Sequence, residues 1–476
     1  MNTPRRQLIN LLRGWPSTSL LPTTLVAQAS SATFTNTKEA FPALCYGPDS
    51  GHEELRIALA QWLTTFYTPN SQFTVGNAAS SVSPIDPVRI CITGGASQNL
   101  ACILQVFTDP LYTRGIWCIS PMYFLAGRVF EDNGFSGRTF HAVPEDDEGL
   151  DISILEQGLQ RDEDLLRSLT KDQQHQQHQR LKPLWPTNKH FRRVIYAVPT
   201  FSNPSSQTMS VKRRIQLVQL ARRFDALVIT DDVYDQLQWY SDSKIAAKAP
   251  DLASQPRIVD IDRFLDGGAS EFGNAVSNGS FSKIIAPGVR TGWAEGTKAL
   301  AHGLGQCGSS RSGGAPSQAM AAALTRIVES GQLQEHITNT LQPAYSARYV
   351  CMMNWIEKLL VPLGVVLPQT NRNIMGGFFI WLELPALLHG DGVARRAKDE
   401  EELIIGPGSF FVVPGDTTHN QKLIHSVRVC LAWEDEDSLE EGIRRLARVI
   451  RRMLDEGDAG DTGEKLVVSA SAITNP

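Results

Sequence analysis

Residues 193–230 read RVIYAVPTFSNPSSQTMSVKRRIQLVQLARRFDALVIT. The two ends of this stretch, RVIYAVP (193–199) and ALVIT (226–230), are short apolar runs rich in β-branched residues, which is typical of buried strands. The middle, SVKRRIQLVQLARRFD, offers Ser210 as an N-cap. Its apolar residues repeat at the spacing of one helical face: Leu217, Leu220, Ala221 and Phe224. Strand, helix and strand in this order predict a largely parallel sheet covered by helices.

The same alternation of apolar runs and helical patterns continues along the chain. RICIT (89–93), GIWCIS (115–120) and RIVDID (257–262) are further short apolar runs, and we predict that they form buried strands. The 476 residues are enough for two domains or for one large domain with a satellite. We therefore predict an α/β fold whose large domain carries a mostly parallel mixed sheet.

Composition excludes several classes of protein. The net charge is −5 with both signs mixed, which argues against a nucleic-acid partner. Seven scattered cysteines without a CxxC pair indicate reduced core thiols, not a disulfide framework or a zinc site. We see no apolar run long enough to span a bilayer, and the start MNTPRRQLINLLRGWPS lacks the features of a secretory signal. We expect a cytoplasmic protein with no membrane association.

Three polar segments interrupt the alternation. Residues 70–87 have the composition of a polar loop, and the Gln/His-rich residues 171–190 indicate an exposed insertion. His175 and His178 in that insertion have no carboxylate or cysteine nearby in the sequence, so we predict no metal site there. From Glu456 onward the composition predicts a disordered tail.

Small and polar residues follow the predicted strands, where open α/β sheets bind their ligands. After RICIT, TGGASQNL places Ala96 and Ser97 at the start of a helix, whose free backbone N–H groups form an anion site. After GIWCIS, Tyr123 can stack on a flat ligand or fill the core. After RVIYAVP comes Asn203, followed by Pro204. Asn203 is either a residue that favours a turn or an amide that binds a ligand oxygen.

Acidic and basic residues follow the later runs. TDDVY places Asp231 or Asp232 where a carboxylate can accept a hydrogen bond from a protonated ring nitrogen, with Tyr234 three residues beyond Asp231; a solvated loop is the alternative. In SFSKIIAPGVR (280–290), Lys283 is either a surface cation or a Schiff-base lysine. Ser280 and Arg290 in that stretch can hold a phosphate. Together these residues offer an anion site, an aromatic ring for stacking, a carboxylate and a lysine. This set of groups matches what pyridoxal 5′-phosphate (PLP) needs.

These motifs resemble the class I/II aminotransferases of PLP fold type I, and most closely the aminoadipate, kynurenine and aromatic aminotransferase branch. The resemblance covers nearly the whole chain. It rests on INLLRGWPS, YGPDSGHEELRIALAQWL, TGGASQNL, SPMYF, SNPSSQ, TDDVY, SFSKIIAPGVRTGW, GGFFIWLELP and SVRVCLAW, which occur in the order of the family. The lysine motif followed by PGxRxGW is the most specific of them.

The resemblance implies a role for each matching residue. Lys283 would form the internal aldimine, and Asp231 would pair with the pyridine nitrogen. Tyr234 and Asn203 would contact the 3′-oxygen, and Tyr123 would stack on the ring. The phosphate would be held by a further group of residues: Ala96, Ser97, Ser280, Arg290 and, from the neighbouring subunit, Tyr46.

Substrate would be held by Arg428 at its α-carboxylate, with Gly14 and Asn203 beside it. The resemblance further implies transfer of an amino group between an L-amino acid and a 2-oxo acid, in a homodimer with shared active sites. A small α+β domain would come from the N- and C-terminal segments. The expected organisation is an N-terminal arm with part of the small domain (1–45), the PLP domain (46–320), the small domain (321–455) and the tail (456–476).

Two other functions share this scaffold. A C–S lyase or a β/γ-eliminating enzyme would use the same cofactor residues, so the sequence barely separates it from a transaminase. A PLP-binding transcription regulator would carry a winged-helix domain ahead of the aminotransferase-like part. The INLLRG motif lies within the first fourteen residues, so we expect no such domain ahead of it. We therefore expect an enzyme.

Overall fold

The computed structural model describes residues 7–68, 83–170, 179–241, 249–311, 316–367, 373–418 and 420–457. The strands are Ile9–Asn10 (β1), Ile90–Thr93 (β2), Gly115–Ser120 (β3), Phe140–Asp146 (β4), Gly149–Leu150 (β5), Arg193–Ala197 (β6), Ala226–Asp231 (β7), Gln238–Tyr240 (β8), Ala275–Ser280 (β9), Gly292–Glu295 (β10), Ile374–Gly376 (β11), Phe379–Glu383 (β12), Leu403–Ile404 (β13), Gly406–Pro407 (β14) and Ser426–Cys430 (β15).

The α-helices flank these strands and alternate with them over the first two thirds of the chain. They are Thr23–Thr35 (α1), Thr37–Leu44 (α2), Glu53–Tyr67 (α3), Ala96–Phe107 (α4), Phe124–Asp132 (α5), Ile152–Ser168 (α6), Val211–Arg223 (α7), Ile258–Phe264 (α8), Lys298–Gly305 (α9), Gly308–Arg311 (α10), Gln318–Glu329 (α11), Gln332–His336 (α12), Gln342–Leu359 (α13), Gly390–Glu401 (α14), Asn420–Leu423 (α15) and Glu436–Glu456 (α16).

The large sheet has eight strands in the order β2-β10-β9-β7-β6-β3-β4-β5. Strands β9, β7, β6, β3 and β4 run parallel, while β10 is antiparallel to both of its neighbours and β5 is antiparallel to β4. Four predicted strands lie in this sheet as β2, β3, β6 and β7, and each is buried along its length. The predicted α/β class with a mostly parallel mixed sheet is confirmed.

The helix between β6 and β7 forms as predicted. The hydroxyl of Ser210 accepts a hydrogen bond from the backbone N–H of Arg213 at 3.2 Å, which caps α7. The four residues predicted for one helical face are all buried: Leu217, Leu220, Ala221 and Phe224. Burial of this stripe against the sheet holds the carboxyl ends of β6 and β7 side by side.

The prediction of a strand at RIVDID (257–262) is wrong, because these residues form the start of α8. A short apolar run has the same composition in a buried helix as in a strand. Ile258 and Ile261 lie three residues apart and are both fully buried, as one helical face requires. The guanidinium of Arg257 donates to Asp260 at 2.9 Å, a pairing that the helical spacing brings within reach. The strand that pairs with β7 on the side away from β6 is β9, not this segment.

A smaller α+β layer joins the two ends of the chain. Strand β15 lies between β12 and β14 in an antiparallel sheet of three strands, and α13 packs against α16. Strand β1 pairs in parallel with β13, so the N-terminal segment becomes part of this C-terminal layer. The predicted small domain from both termini agrees with this arrangement. The exact domain boundaries at 45/46 and 320/321 stay a prediction.

The predicted polar segments fall partly outside the described residues. Residues 69–82 and 171–178, with His175 and His178, lie outside them, whereas residues 179–190 are irregular and expose the side chain of Trp185. Helix α16 continues to Glu456, so the tail begins after that residue, and residues 458–476 also lie outside. All seven cysteines are free thiols. None of the helices in the described ranges is both long and apolar enough to cross a membrane.

Candidate active site

One cavity collects the polar residues that follow the strands of the large sheet. It lies at the carboxyl ends of β6, β7 and β9 and is closed on the other side by β12, β15 and residues 12–15. Its lining contains these predicted site residues: Gly14, Ala96, Ser97, Tyr123, Asn203, Asp231, Tyr234, Ser280, Lys283, Arg290 and Arg428. Tyr46 does not line it, and its side chain is 89% exposed.

One end of the cavity suits an anion. Gly95 precedes the first residue of α4 with φ of 98°, and an added Cβ would lie 3.2 Å from Nη2 of Arg290 and 3.6 Å from Oγ of Ser280. The first backbone N–H groups of a helix lack partners within it, and here those of Ala96 and Ser97 begin α4. Free N–H groups, a hydroxyl and a guanidinium therefore converge around a position that only glycine leaves open.

The cavity lining also contains a carboxylate, that of Asp231. Oδ2 of Asp231 accepts a hydrogen bond from the hydroxyl of Tyr196 at 2.6 Å, and Oδ1 accepts one from Nδ2 of Asn278 at 2.7 Å. Burial raises the pKa of Asp231 to about 6, although both hydrogen bonds oppose that rise because they favour the ionised form. The carboxylate is thus fixed in orientation and ionised at neutral pH.

Sequence reasoning missed Tyr196 and Asn278. Both lie in strands that flank β7, and Asn278 is the direct neighbour of Asp231 in the register of β7 and β9. The available signal was a polar group in the middle of a fully buried strand, since such a group needs a partner. Ser282 is a further lining residue that the sequence did not single out, and its hydroxyl lies 2.9 Å from that of Ser280.

Asp232 faces away from the cavity, because successive side chains at the end of a strand point to opposite sides. Its Oδ2 accepts hydrogen bonds from the hydroxyls of Thr230, at 2.9 Å, and Ser277. Burial, and next the nearby charge of Asp235, raise the pKa of Asp232 to about 8. The two adjacent acids are therefore distinguished by geometry, and Asp231 is the one that lines the cavity.

The side chain of Lys283 also lines the cavity. Nζ donates a hydrogen bond to the carbonyl oxygen of Gly14 at 2.7 Å and lies 5.3 Å from the ring centroid of Phe378. Burial lowers the pKa of Lys283 to about 8, and the positive charge of Arg428 adds to that effect. A substantial fraction of this amine is therefore neutral, and nucleophilic, near pH 8.

Arg428 is a buried cation whose hydrogen-bond acceptors are neutral. Nη1 donates to Oδ1 of Asn203 at 2.7 Å, Nη2 donates to the carbonyl oxygen of Leu12, and the guanidinium lies 3.9 Å from the ring of Phe379. Its Nε is buried without a hydrogen-bond partner in the described part of the chain. Burial lowers the pKa of Arg428 to about 10, so it stays charged at neutral pH. A buried charge in this state is costly unless an anion joins it.

Aromatic rings form the remaining walls. Burial raises the pKa of Tyr123 to about 12, so its hydroxyl stays neutral. Tyr234 packs edge-on against Phe379 with ring centroids 6.0 Å apart. Both tyrosines therefore present fixed rings and neutral hydroxyl groups to a ligand in the cavity.

The comparisons with known proteins agree with this geometry. A family model described as "Aminotransferase class I and II" matches residues 6–446. An uncharacterized protein of Saccharomyces cerevisiae, YER152C, is 32% identical over 93% of this chain and 97% of its own length. Aromatic-amino-acid aminotransferase 1 of Thermococcus litoralis is 27% identical over 93% of this chain and 88% of its own. The solved structure of Pyrococcus horikoshii kynurenine aminotransferase is 26% identical, with a TM-score of 0.72 over 94% of this chain and 92% of its own.

Proposed function

Because the chain belongs to the class I and II aminotransferases, enzymes that transfer amino groups with pyridoxal 5′-phosphate, we propose that the cavity around Lys283 is the site of that reaction. The observation that carries the proposal is the charge of its lining. Lys283, Asp231 and Arg428 are three buried ionisable groups in one cavity, and their hydrogen-bond partners are neutral groups. Such a lining requires a ligand with complementary charges.

The described residues fit PLP at each of its polar groups. The phosphate would lie at Gly95, where an added Cβ would crowd the guanidinium of Arg290 and contact the hydroxyl of Ser280. The ring nitrogen would face Asp231, and Tyr123 would cover the ring. When bound, PLP supplies an electron-accepting ring that stabilises negative charge on the substrate Cα. The protein must then hold the ring, orient the substrate and move protons.

Asn203 links the substrate side of the cavity to the cofactor side. Its Oδ1 accepts a hydrogen bond from Arg428, so the Nδ2 group is the one left to donate. We assign that donor, together with the hydroxyl of Tyr234, to the ring oxygen of PLP. Arg428 would hold the substrate α-carboxylate through a two-pronged hydrogen bond.

Lys283 would hold the cofactor covalently at rest and move a proton during the reaction. Its amine, once free, would act first as a general base that takes the proton from the substrate Cα, and then as a general acid that gives a proton up. The carboxylate of Asp231 would keep a proton on the ring nitrogen. Burial of both groups excludes water, which strengthens each of these interactions.

The substrates are an amino acid and a 2-oxo acid, and we propose that the amino acid is an L-amino acid with a large apolar or aromatic side chain. Trp15, Phe124 and Leu125 line the cavity beyond the charged groups and would contact such a side chain. Two of the relatives are named as an aromatic-amino-acid aminotransferase and a kynurenine aminotransferase. A panel of the twenty amino acids and aminoadipate, with 2-oxoglutarate or pyruvate as acceptor, tests this: preference for small or acidic donors would contradict it.

We expect Arg428→Ala to raise the Michaelis constant for the amino acid by about 30- to 1000-fold, which corresponds to about 2–4 kcal/mol. The buried carboxylate of the substrate would lose its paired charge. The measurement is a comparison of steady-state kinetics between the amino acid and the matching amine without a carboxylate. The reaction of the amine should change little, and an unchanged Michaelis constant for the amino acid would return Arg428 to a purely structural role.

We also propose a cytoplasmic homodimer in which Tyr46 reaches the phosphate in the partner subunit. In the single chain Tyr46 is 89% exposed, and Phe41 and Leu44 beside it are 68% and 69% exposed. Apolar surface of this kind is typical of a protein–protein contact, and a twofold dimer is the commonest closed assembly.

Co-expression of Tyr46→Ala with Lys283→Ala tests the shared site. Each variant alone should be at least about tenfold less active than the wild type. In a heterodimer one site would combine the intact Lys283 with the intact Tyr46, and the other would carry both substitutions. We expect activity per heterodimer to return to about half of the wild-type value. Purified heterodimers that recover nothing would show that Tyr46 serves its own chain.

A further inference from the structure

Two cysteines outside the active site lie beside the same serine hydroxyl. Cys102 lies in α4, and Cys307 follows α9 at the turn before α10. The hydroxyl of Ser309 lies 3.8 Å from Sγ of Cys102 and 3.5 Å from Sγ of Cys307, so the two sulfurs flank one hydroxyl group. Nε2 of Gln98 also donates to Cys102 at 2.9 Å. Two thiols with this many polar neighbours are unlike ordinary core cysteines.

The two thiols differ in their surroundings. Sγ of Cys307 donates a hydrogen bond to Oε1 of Gln105 at 3.4 Å, and the two residues that follow it, Gly308 and Ser309, are exposed. Cys102 lies within α4. We take Cys307 as the thiol that meets an oxidant first because it lies in the exposed turn, and its thiolate is the reactive form.

The surroundings permit both access and movement. Both sulfurs are buried, but Gly308 and Ser309, which cover Cys307, are exposed. A Cβ added at Gly308 would meet nothing within 4 Å, so this turn has open space beside it. A disulfide needs the two sulfurs to approach to about 2.05 Å, and the turn is the element that can supply the shift.

We propose that Cys102 and Cys307 form a reversible oxidation site at which a hydroperoxide converts the two thiols into a disulfide. In the first step the sulfur of Cys307 attacks a peroxide oxygen, the O–O bond breaks, and the leaving oxygen takes a proton to give water or an alcohol. Cys307 is then a sulfenic acid. In the second step the sulfur of Cys102 attacks that of Cys307, the S–O bond breaks, and the hydroxide leaves as water with the proton of Cys102. The two thiols lose two electrons and the peroxide gains them.

The test is peptide mapping of the reduced full-length protein after treatment with hydrogen peroxide. Free thiols are blocked in denaturant before digestion, so that no exchange follows unfolding. We expect a peptide with Cys102 joined to a peptide with Cys307, at a mass two hydrogens below the sum, and its loss on treatment with dithiothreitol. Cys45, a free thiol that is exposed in the single chain, is the internal control. Oxidation of Cys45 without this joined peptide would overturn the proposal.

Single substitutions separate the two roles. Cys102→Ser should leave Cys307 as a sulfenic acid that a dimedone reagent captures, whereas Cys307→Ser should slow oxidation of Cys102 by at least about tenfold, since that thiol would have no reactive partner. Cys45→Ser should leave the joined peptide unchanged. Cys91 lies close enough to interact electrostatically with both thiols. A dominant link from Cys91 to either residue would also contradict the assigned pair.

Discussion

Lys283→Ala should reduce the turnover number for transamination by at least about 10⁴-fold, the upper range for a single positioned acid–base group. The substitution would remove both the amine that attaches the cofactor and the group that moves the proton at the substrate Cα. No other described lysine lines the cavity, so no neighbouring amine can substitute for it. The measurement is the single-turnover rate of the purified variant, loaded with PLP, on an amino acid that the wild type accepts.

Lys212→Ala is the matched control for this variant. Lys212 lies on α7, and its side chain is 72% exposed, so its removal should change the rate by no more than about twofold. Borohydride should fix the cofactor covalently to the wild-type chain and to this control, and should fail to fix it to Lys283→Ala. A Lys283→Ala enzyme with activity within tenfold of the wild type would contradict the assignment.

The pKa of Lys283 gives this variant a second signature. Burial lowers that pKa to about 8 in the folded chain, below the ordinary lysine value of about 10.4. The buried amine therefore destabilises the folded apoprotein below pH 8, and this penalty disappears as the pH rises toward the unfolded value. The free energy of unfolding of the Lys283→Ala apoprotein, minus that of the wild-type apoprotein, should therefore be larger at pH 7 than at pH 10. Denaturant unfolding of both proteins at both pH values measures this difference.

The sequence predicted four strands of the large sheet and the helix between β6 and β7, and it failed at one further run. RVIYAVP and ALVIT are buried on both faces and have a capped helix between them, so composition and periodicity agree. RIVDID is also rich in β-branched residues, but it carries two aspartates, Asp260 and Asp262, which pair with Arg257 and Arg222 in the structure. Such a run has the composition of a strand and can still form a buried helix, so composition alone does not separate the two.

The residues that support the site were harder to predict than those that line it. Ser280, Lys283 and Arg290 lie within one short motif, so their proximity could be predicted from the sequence. Tyr196 and Asn278 contact Asp231 from two neighbouring strands, and only the register of the sheet brings the three together. Sequence reasoning on single segments gives no such register. The partner for Tyr46 is also beyond the single chain, and its role stays a prediction that the heterodimer experiment tests.

Asp231→Asn should reduce the rate of the proton transfer step by about 10³-fold, comparable to the loss of a fixed charge-stabilising group at a reacting centre. The amide keeps the size of the carboxylate but cannot balance the positive charge on the ring nitrogen, so negative charge on the substrate Cα would be less well stabilised. The fold should survive, because Tyr196 and Asn278 can still donate to or accept from an amide. The measurement is the single-turnover rate of the amino-acid half-reaction, together with a titration of PLP affinity.

Asp232→Asn is the matched control, since it makes the same change one residue further along the chain. Asp232 does not line the cavity, and burial with the charge of Asp235 raises its pKa to about 8, so it carries a proton over much of the neutral range. An amide resembles that protonated form, and we expect the rate to fall by less than about tenfold. Equal losses in the two variants, or a larger loss for Asp232→Asn, would show that the wrong acid has been assigned to the ring nitrogen.

The pH dependence of PLP binding distinguishes a charge effect from a change in shape. The pKa of Asp231 in the protein without PLP is raised to about 6 by burial, so the carboxylate gains a proton as the pH falls through that value. PLP with a protonated ring nitrogen needs the ionised form, and wild-type affinity should therefore drop by about tenfold per pH unit below pH 6. Asp231→Asn has no proton to gain and should lose this dependence, whereas Asp232→Asn should keep it. A pH profile that is the same in all three proteins would mean that Asp231 does not balance the ring charge.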